Sequence, residues 1–170
     1  MPIFTHRYLK ERAESLLVRF EIVRPPVDVR KIAVGLDIEV VEMTQETWFY
    51  GMLLGYHDDC YIVVNKLLSE PKKRFTIAHE LGHFQLHRED LAYTAAQEKE
   101  YLHKEADIFA AELCMPAKMV RRYAAEWNND HRTLASIFNV TEVAVVDKLD
   151  ELGLAKKTRF SWDHARLDRA

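Results

Sequence analysis

The stretch Arg74–His87, RFTIAHELGHFQLH, constrains this chain more than any other feature. Its histidines, His79, His83 and His87, recur at every fourth position, and Glu80 follows the first of them. On a helix, residues i and i+4 lie one above the other on the same face. His79 and His83 can therefore reach one metal ion from the same side. Glu80 stands about 100° further round the axis, where it flanks the ion and can hold a water. Two imidazole ligands and one carboxylate base at this spacing make the arrangement of a zinc hydrolase. The plainer reading, a surface helix rich in histidine, leaves a buried His pair without partners for its nitrogens. A helix rises about 12 Å over eight residues, too far for one ion to bind both His79 and His87, so His87 reads as structural. The longer pattern HExxHxxGxxH is absent, because Leu86 and Glu89 stand where its Gly and third His belong.

Catalytic zinc usually keeps three protein ligands and one open position. A second amphipathic helix, near Gln97–Cys114, offers Glu98, Glu100, His103, Glu105, Asp107 and Glu112. Leu102, Ala106, Phe109 and Leu113 form its apolar stripe. Glu105 borders that stripe, and a carboxylate drawn toward a core is expensive unless a cation meets it. Spacing thus favours Glu105 as the third ligand, with Glu112 second. Asp107 reads equally as a carboxylate that orients a ligand imidazole and as an exposed charge on the helix surface. Tyr50, Tyr56, Tyr93, Tyr101 and His103 remain candidates to stabilise an oxyanion.

The rest of the chain frames these two helices. A helix is expected near His6–Ile22, halted before Pro25 and Pro26. A short helix, a stop at Gly35 and a strand near Ile38–Met43 come next. Two more strands near Trp48–Leu54 and Cys60–Asn65, joined by the turn-forming GYHDD, suggest an antiparallel meander. Ser69 and Pro71 mark the start of the motif helix, and helices near Ala117–Trp127, His131–Phe138 and Thr141–Leu152 follow. The expected class is α+β: a small antiparallel three-stranded sheet packed against the active-site helix. Residues 1–130 read as the catalytic domain, and 131–170 as a helical extension packed on it. Within the extension, Arg132–Leu154 has the pattern of a short helix-turn-helix. Its second helix opens on Thr141, Glu142, Val143 and Ala144, which is poor chemistry for reading DNA. The basic, aromatic tail from Lys156 has no assigned place.

The net charge of −3 speaks against nucleic-acid binding by bulk charge. Cys60 and Cys114 are too few for a thiolate metal knot and read as reduced thiols. No signal peptide or membrane span is visible, so the expected location is the cytoplasm.

PVDVRKIAVGLDIEV, YIVVN, RFTIAHELGHFQLH and EADIFAAELCMP, in that order, resemble the ImmA/IrrE family of metallopeptidases over roughly Ala13 to Leu154. The resemblance implies a gluzincin-like core, a metal site of His79, His83 and Glu105, and Zn²⁺ (or Mn²⁺) as cofactor. It further implies a regulatory role, the cleavage of a helix-turn-helix (Xre-type) repressor of a mobile element, prophage or stress response. Cys114 stands where the family motif often has Leu, and a buried Cys acts as a small hydrophobe. On this reading Glu80 is the catalytic base, the partner is a protein, and neither nucleic acid nor membrane is bound directly. The competing expectation is an interaction module that inactivates its partner without cutting it. The presence of Glu80 favours the enzyme, since a binder has no need of that base.

Overall fold

The computed structural model describes residues 3–56, 59–87 and 100–155. Seven helices and one three-stranded sheet are found among them: α1 His6–Arg19, α2 Val29–Val34, β1 Ile38–Met43, β2 Gly51–Tyr56, β3 Asp59–Asn65, α3 Glu70–Leu86, α4 Glu100–Cys114, α5 Ala117–Glu126, α6 His131–Phe138 and α7 Glu142–Glu151. The class is α+β, as expected. Glu98, Tyr93, the segment around Gln97 and the tail from Lys156 lie outside the described residues, as does the middle of the GYHDD turn.

The sheet differs from a meander. Its order is β1-β3-β2, with β2 antiparallel to β3 and β1 parallel to it. Alternation along a strand reports that a strand exists but not which neighbour it takes. The burial pattern supplies the missing signal. Ile62, Val63, Val64 and Asn65 of β3 are all buried, as a central strand requires, whereas β1 turns mostly outward after Ile38. The chain leaves β1, passes over the end of the sheet through residues 44–50, and enters β2 on the far side of β3. Asn65 secures this crossing. Its buried amide donates to the carbonyls of Gln45, Glu46 and Phe49, and its carbonyl accepts from the Gln45 and Leu67 amides.

The core lies where α3 and α4 pack together, with α1 against α4 and the sheet against α3. Leu9, Ala13, Leu16 and Leu17 of α1, spaced as one helical face, are buried there. Two glycines set the separations that matter. A β-carbon on Gly82 would stand 3.1 Å from the Ala106 Cα and 3.2 Å from its carbonyl oxygen, so only glycine lets α3 and α4 approach this closely. A β-carbon on Gly51 would stand 2.5 Å from Thr76 Cγ2 and 2.8 Å from the Val63 carbonyl, so glycine also lets β2 lie down on α3.

Helices α6 and α7 join this core rather than standing free. Leu134, Phe138, Val145 and Leu149 belong to the same buried cluster as Ile77, Leu81 and Phe109. The turn between them uses Asn139 in the left-handed conformation, which Asn tolerates well. Arg74 of α3 is buried and donates to the carbonyls of Asn139 and Val27, pinning that turn. Lys148 of α7, also buried, reaches Glu112 of α4 at 2.7 Å. At the start of α7, Glu142 faces His131 and Arg132. Among the described residues, no helix is long and apolar enough to cross a membrane.

Candidate metal centre

Helix α3 begins at the N-cap Ser69 with Glu70 and Pro71 in its first turn, and buries Ile77, Ala78 and Leu81 against the core. That burial fixes the rotation of the helix. His79 and His83 then project toward α4, one turn apart. Helix α4 answers with His103 and Asp107, likewise one turn apart and on its exposed flank.

Three imidazole nitrogens converge. His83 Nε2 lies 3.1 Å from His79 Nε2 and 3.2 Å from His103 Nδ1, and His79 Nε2 lies 3.2 Å from His103 Nδ1. Three nitrogens so close cannot all be satisfied by hydrogen bonds to one another, because a neutral imidazole offers a single hydrogen. A cation would resolve the arrangement. Zn–N bonds of about 2.0–2.1 Å imply tetrahedral edges of about 3.3–3.4 Å, close to the triangle found. The donor set therefore fits zinc with a fourth position open to the cleft. His79 is also correctly oriented. Its Nδ1–H donates to Asp107 Oδ1 at 2.8 Å, which leaves the Nε2 lone pair facing the triangle. Burial, with a smaller contribution from the charges of neighbouring histidines, lowers the His83 pKa to about 3. The ring is thus held neutral, the form that binds metal.

The triangle opens onto a cleft of about 810 Å³, walled by Trp48–Met52 and by Phe75, Thr76, His79, Glu80, His103 and Asp107. Glu80 is buried at its edge. Burial raises its pKa to about 7, opposed by the nearby His79 and by the Leu53 amide, which donates to its carboxylate. A carboxyl that titrates near neutrality beside a metal-competent triangle suits a general base. A divalent ion would pull the value down, because opposite charge favours the ionised form.

Of the residues expected from sequence, His79 and His83 lie in the triangle and Glu80 beside it. The structure does not bring Glu105 there. One oxygen of its carboxylate accepts from His87 Nε2 at 2.9 Å, and the other accepts the amides of Ile3 and Phe4. The cation that its burial demanded is replaced by these three N–H donors. Glu112 is engaged with Lys148 and Lys10. Asp107, which the sequence left equally as an orienting or a surface carboxylate, lies 2.8 Å from His79 Nδ1. His103, foreseen only among several candidates, supplies the third nitrogen. It stands one turn from Asp107 on the exposed flank of α4, where spacing alone does not separate a ligand from a solvated side chain. Of the tyrosines, Tyr50 lines the cleft.

A family model described as the IrrE N-terminal-like domain, of a peptidase family, matches residues 36–150. That span holds the sheet, both site helices and every residue of the triangle. An "uncharacterized immunity region protein 2" of Bacillus phage phi105 is 27% identical over 119 residues, covering 68% of this chain and 73% of that protein. In fold, the chain is similar to a Mycobacterium tuberculosis transcriptional regulator, with a TM-score of 0.66 and 19% identity over 85% of this chain. The chain spans 46% of the length of that regulator. With more than half of its length matched by the family model and the expected helices facing one another across a metal-competent triangle, the chain belongs to the IrrE N-terminal-like family of metallopeptidases.

Proposed function

We propose that this chain is a zinc-dependent endopeptidase in which His79, His83 and His103 hold the metal and Glu80 is the general base. Manganese is the alternative ion. The observation that carries this reading is the near-equilateral triangle of imidazole nitrogens beside a carboxyl poised near neutrality. Zinc in that triangle would lower the pKa of water toward about 7 and polarise a peptide carbonyl. Glu80 takes the proton of the attacking water and returns it to the leaving amine. Asp107 keeps His79 in the tautomer whose lone pair faces the metal.

The substrate is an extended segment of a protein. Strand β2 is an edge of the sheet and its residues 51 and 52 wall the cleft, so a peptide can add alongside it as a further strand. Trp48 and Tyr50, 76% and 53% exposed, offer aromatic contacts beside that path. We assign the substrate to the helix-turn-helix (Xre-type) repressors, a reading supported by the phage immunity-region relative and by the motif resemblance. The setting is the cytoplasm, consistent with two unpaired thiols at Cys60 and Cys114.

The test is incubation of the zinc-loaded protein with repressors encoded near its gene, followed by mass spectrometry. The wild type should release fragments from one of them. Glu80→Gln should bind zinc and release none. Undiminished cleavage by Glu80→Gln, or by chelated wild type, would refute the assignment. Full biological activity of that variant would instead identify a non-cutting partner-binding protein.

A further inference from the structure

Behind the triangle lies a set of buried polar groups that hydrolysis does not use. His87 and Glu105 are 1% and 2% exposed, and neither lines the cleft. Buried polar groups of this kind are expensive unless each hydrogen is directed. Here each one is.

The direction can be read from the closed end outward. Glu105 accepts the Phe4 amide at 2.9 Å and the Ile3 amide on one oxygen, and receives His87 Nε2 at 2.9 Å on the other. An ionised carboxylate only accepts, so His87 Nε2 carries a hydrogen. In the neutral ring, His87 Nδ1 is then a lone pair. It lies 3.1 Å from His83 Nδ1, so His83 Nδ1 must be the donor. That leaves the lone pair of His83 on Nε2, the nitrogen in the triangle. The Phe4 ring stacks on His87, with centroids 6.2 Å apart, and on Tyr8 at 4.9 Å, so the segment that supplies the amides is itself anchored.

From this chain of bonds we infer that Ile3–Phe4, Glu105 and His87 are positioning groups that fix the tautomer and ring plane of His83 from the side opposite the cleft. Among the described residues, His79 has one carboxylate, Asp107, for the same task. His83 has a relay two residues long that ends on backbone near the start of the chain. Residues 3 and 4 are thereby part of the support of the metal centre. The inference rests on the reading of the triangle as a metal site, but its first prediction concerns the metal-free protein.

Imidazole ¹⁵N spectra of the full-length, chelated wild type should place the His83 hydrogen on Nδ1. Glu105→Gln has one carbonyl for two sets of donors, and should move His83 toward the Nε2–H tautomer. Zinc affinity, read by competition with a chromophoric chelator, should fall about 10- to 100-fold in Glu105→Gln and in His87→Phe, the range typical of partners one bond removed from a metal ligand. The cobalt-loaded spectrum of Glu105→Gln should stay that of a three-nitrogen tetrahedral site, since no ligand is removed. A wild-type His83 protonated on Nε2 overturns the inference, whether or not the variants fold. So does a wild type that binds zinc but loses no affinity in either variant, even if both melt at lower temperature, because that is the result for a purely structural pair. A wild type that takes up no zinc refutes the metal reading instead, and the tautomer measurement then decides the relay alone.

Discussion

Glu80→Gln should make the metal-stripped protein more stable at pH 8, although it removes the proposed base. Burial raises the Glu80 pKa from 4.5 to about 7. Its folded value therefore lies above its unfolded one. Between these values the folded state holds a proton that the unfolded chain has released, so stability falls as pH rises. A shift of roughly 2.5 units at 1.36 kcal/mol each gives about 3 kcal/mol lost by pH 8, and under about 1 kcal/mol at pH 5. Glutamine keeps the shape and an acceptor for the Leu53 amide but never ionises. His83 contributes the opposite limb. Its folded pKa of about 3 lies below the ordinary 6.5, so stability falls as pH drops from 6.5 toward 3. The two slopes offset one another between about pH 4.5 and 6.5, and the chelated wild type should show a plateau there. Urea unfolding in EDTA at pH 5 and pH 8 measures the effect. For a chain of this size about 3 kcal/mol corresponds to a rise of roughly 6–12 °C in Tm. Parallel pH profiles for wild type and variant, or a less stable variant at pH 8, would refute the reasoning.

Other perturbations test the frame around the site. Gly82→Val should destabilise the fold by about 2–4 kcal/mol, combining overpacking against Ala106 with poor helix propensity, and should weaken zinc binding by separating α4 from α3; unchanged melting would contradict the close approach. Asn65→Ala removes the hub of the 44–50 crossing, so residues 45–49 should become sensitive to limited proteolysis while zinc affinity is retained. Lys148→Ala leaves Glu112 buried with Lys10 as its one ion-pair partner among the described residues, and should lower stability by about 2–4 kcal/mol; the double variant Lys148→Met with Glu112→Gln should recover most of that in chemical denaturation.

Much of this could be read from the residues, and the failures have physical causes. The strand Ile38–Met43 and the helix His131–Phe138 stand at their expected bounds because periodicity and caps coincide there: Asp130 caps the helix and Asn139 ends it. Pairing within the sheet was not legible, since alternation carries no partner information, although the unbroken apolar run of β3 hints at a central strand. The motif helix sets His79 beside His83, with Glu80 at the cleft, because i to i+4 spacing determines geometry locally. The third nitrogen of the triangle depends on how two distant helices face each other, and the rule that a buried carboxylate needs a cation points to Glu105, which lies outside the triangle. Glu105 is indeed buried and compensated, but by His87 and two backbone amides. His103 sits on the exposed flank, where sequence alone does not separate a ligand from a solvated side chain.

The most direct test of the central claim is X-ray absorption on the zinc-loaded full-length chain, paired with zinc titration of His103→Ala. One zinc per chain bound by three imidazoles, with stoichiometric binding lost in His103→Ala, is the predicted result. Absence of stoichiometric zinc, or a His103→Ala variant that binds it as tightly as the wild type, would contradict the account.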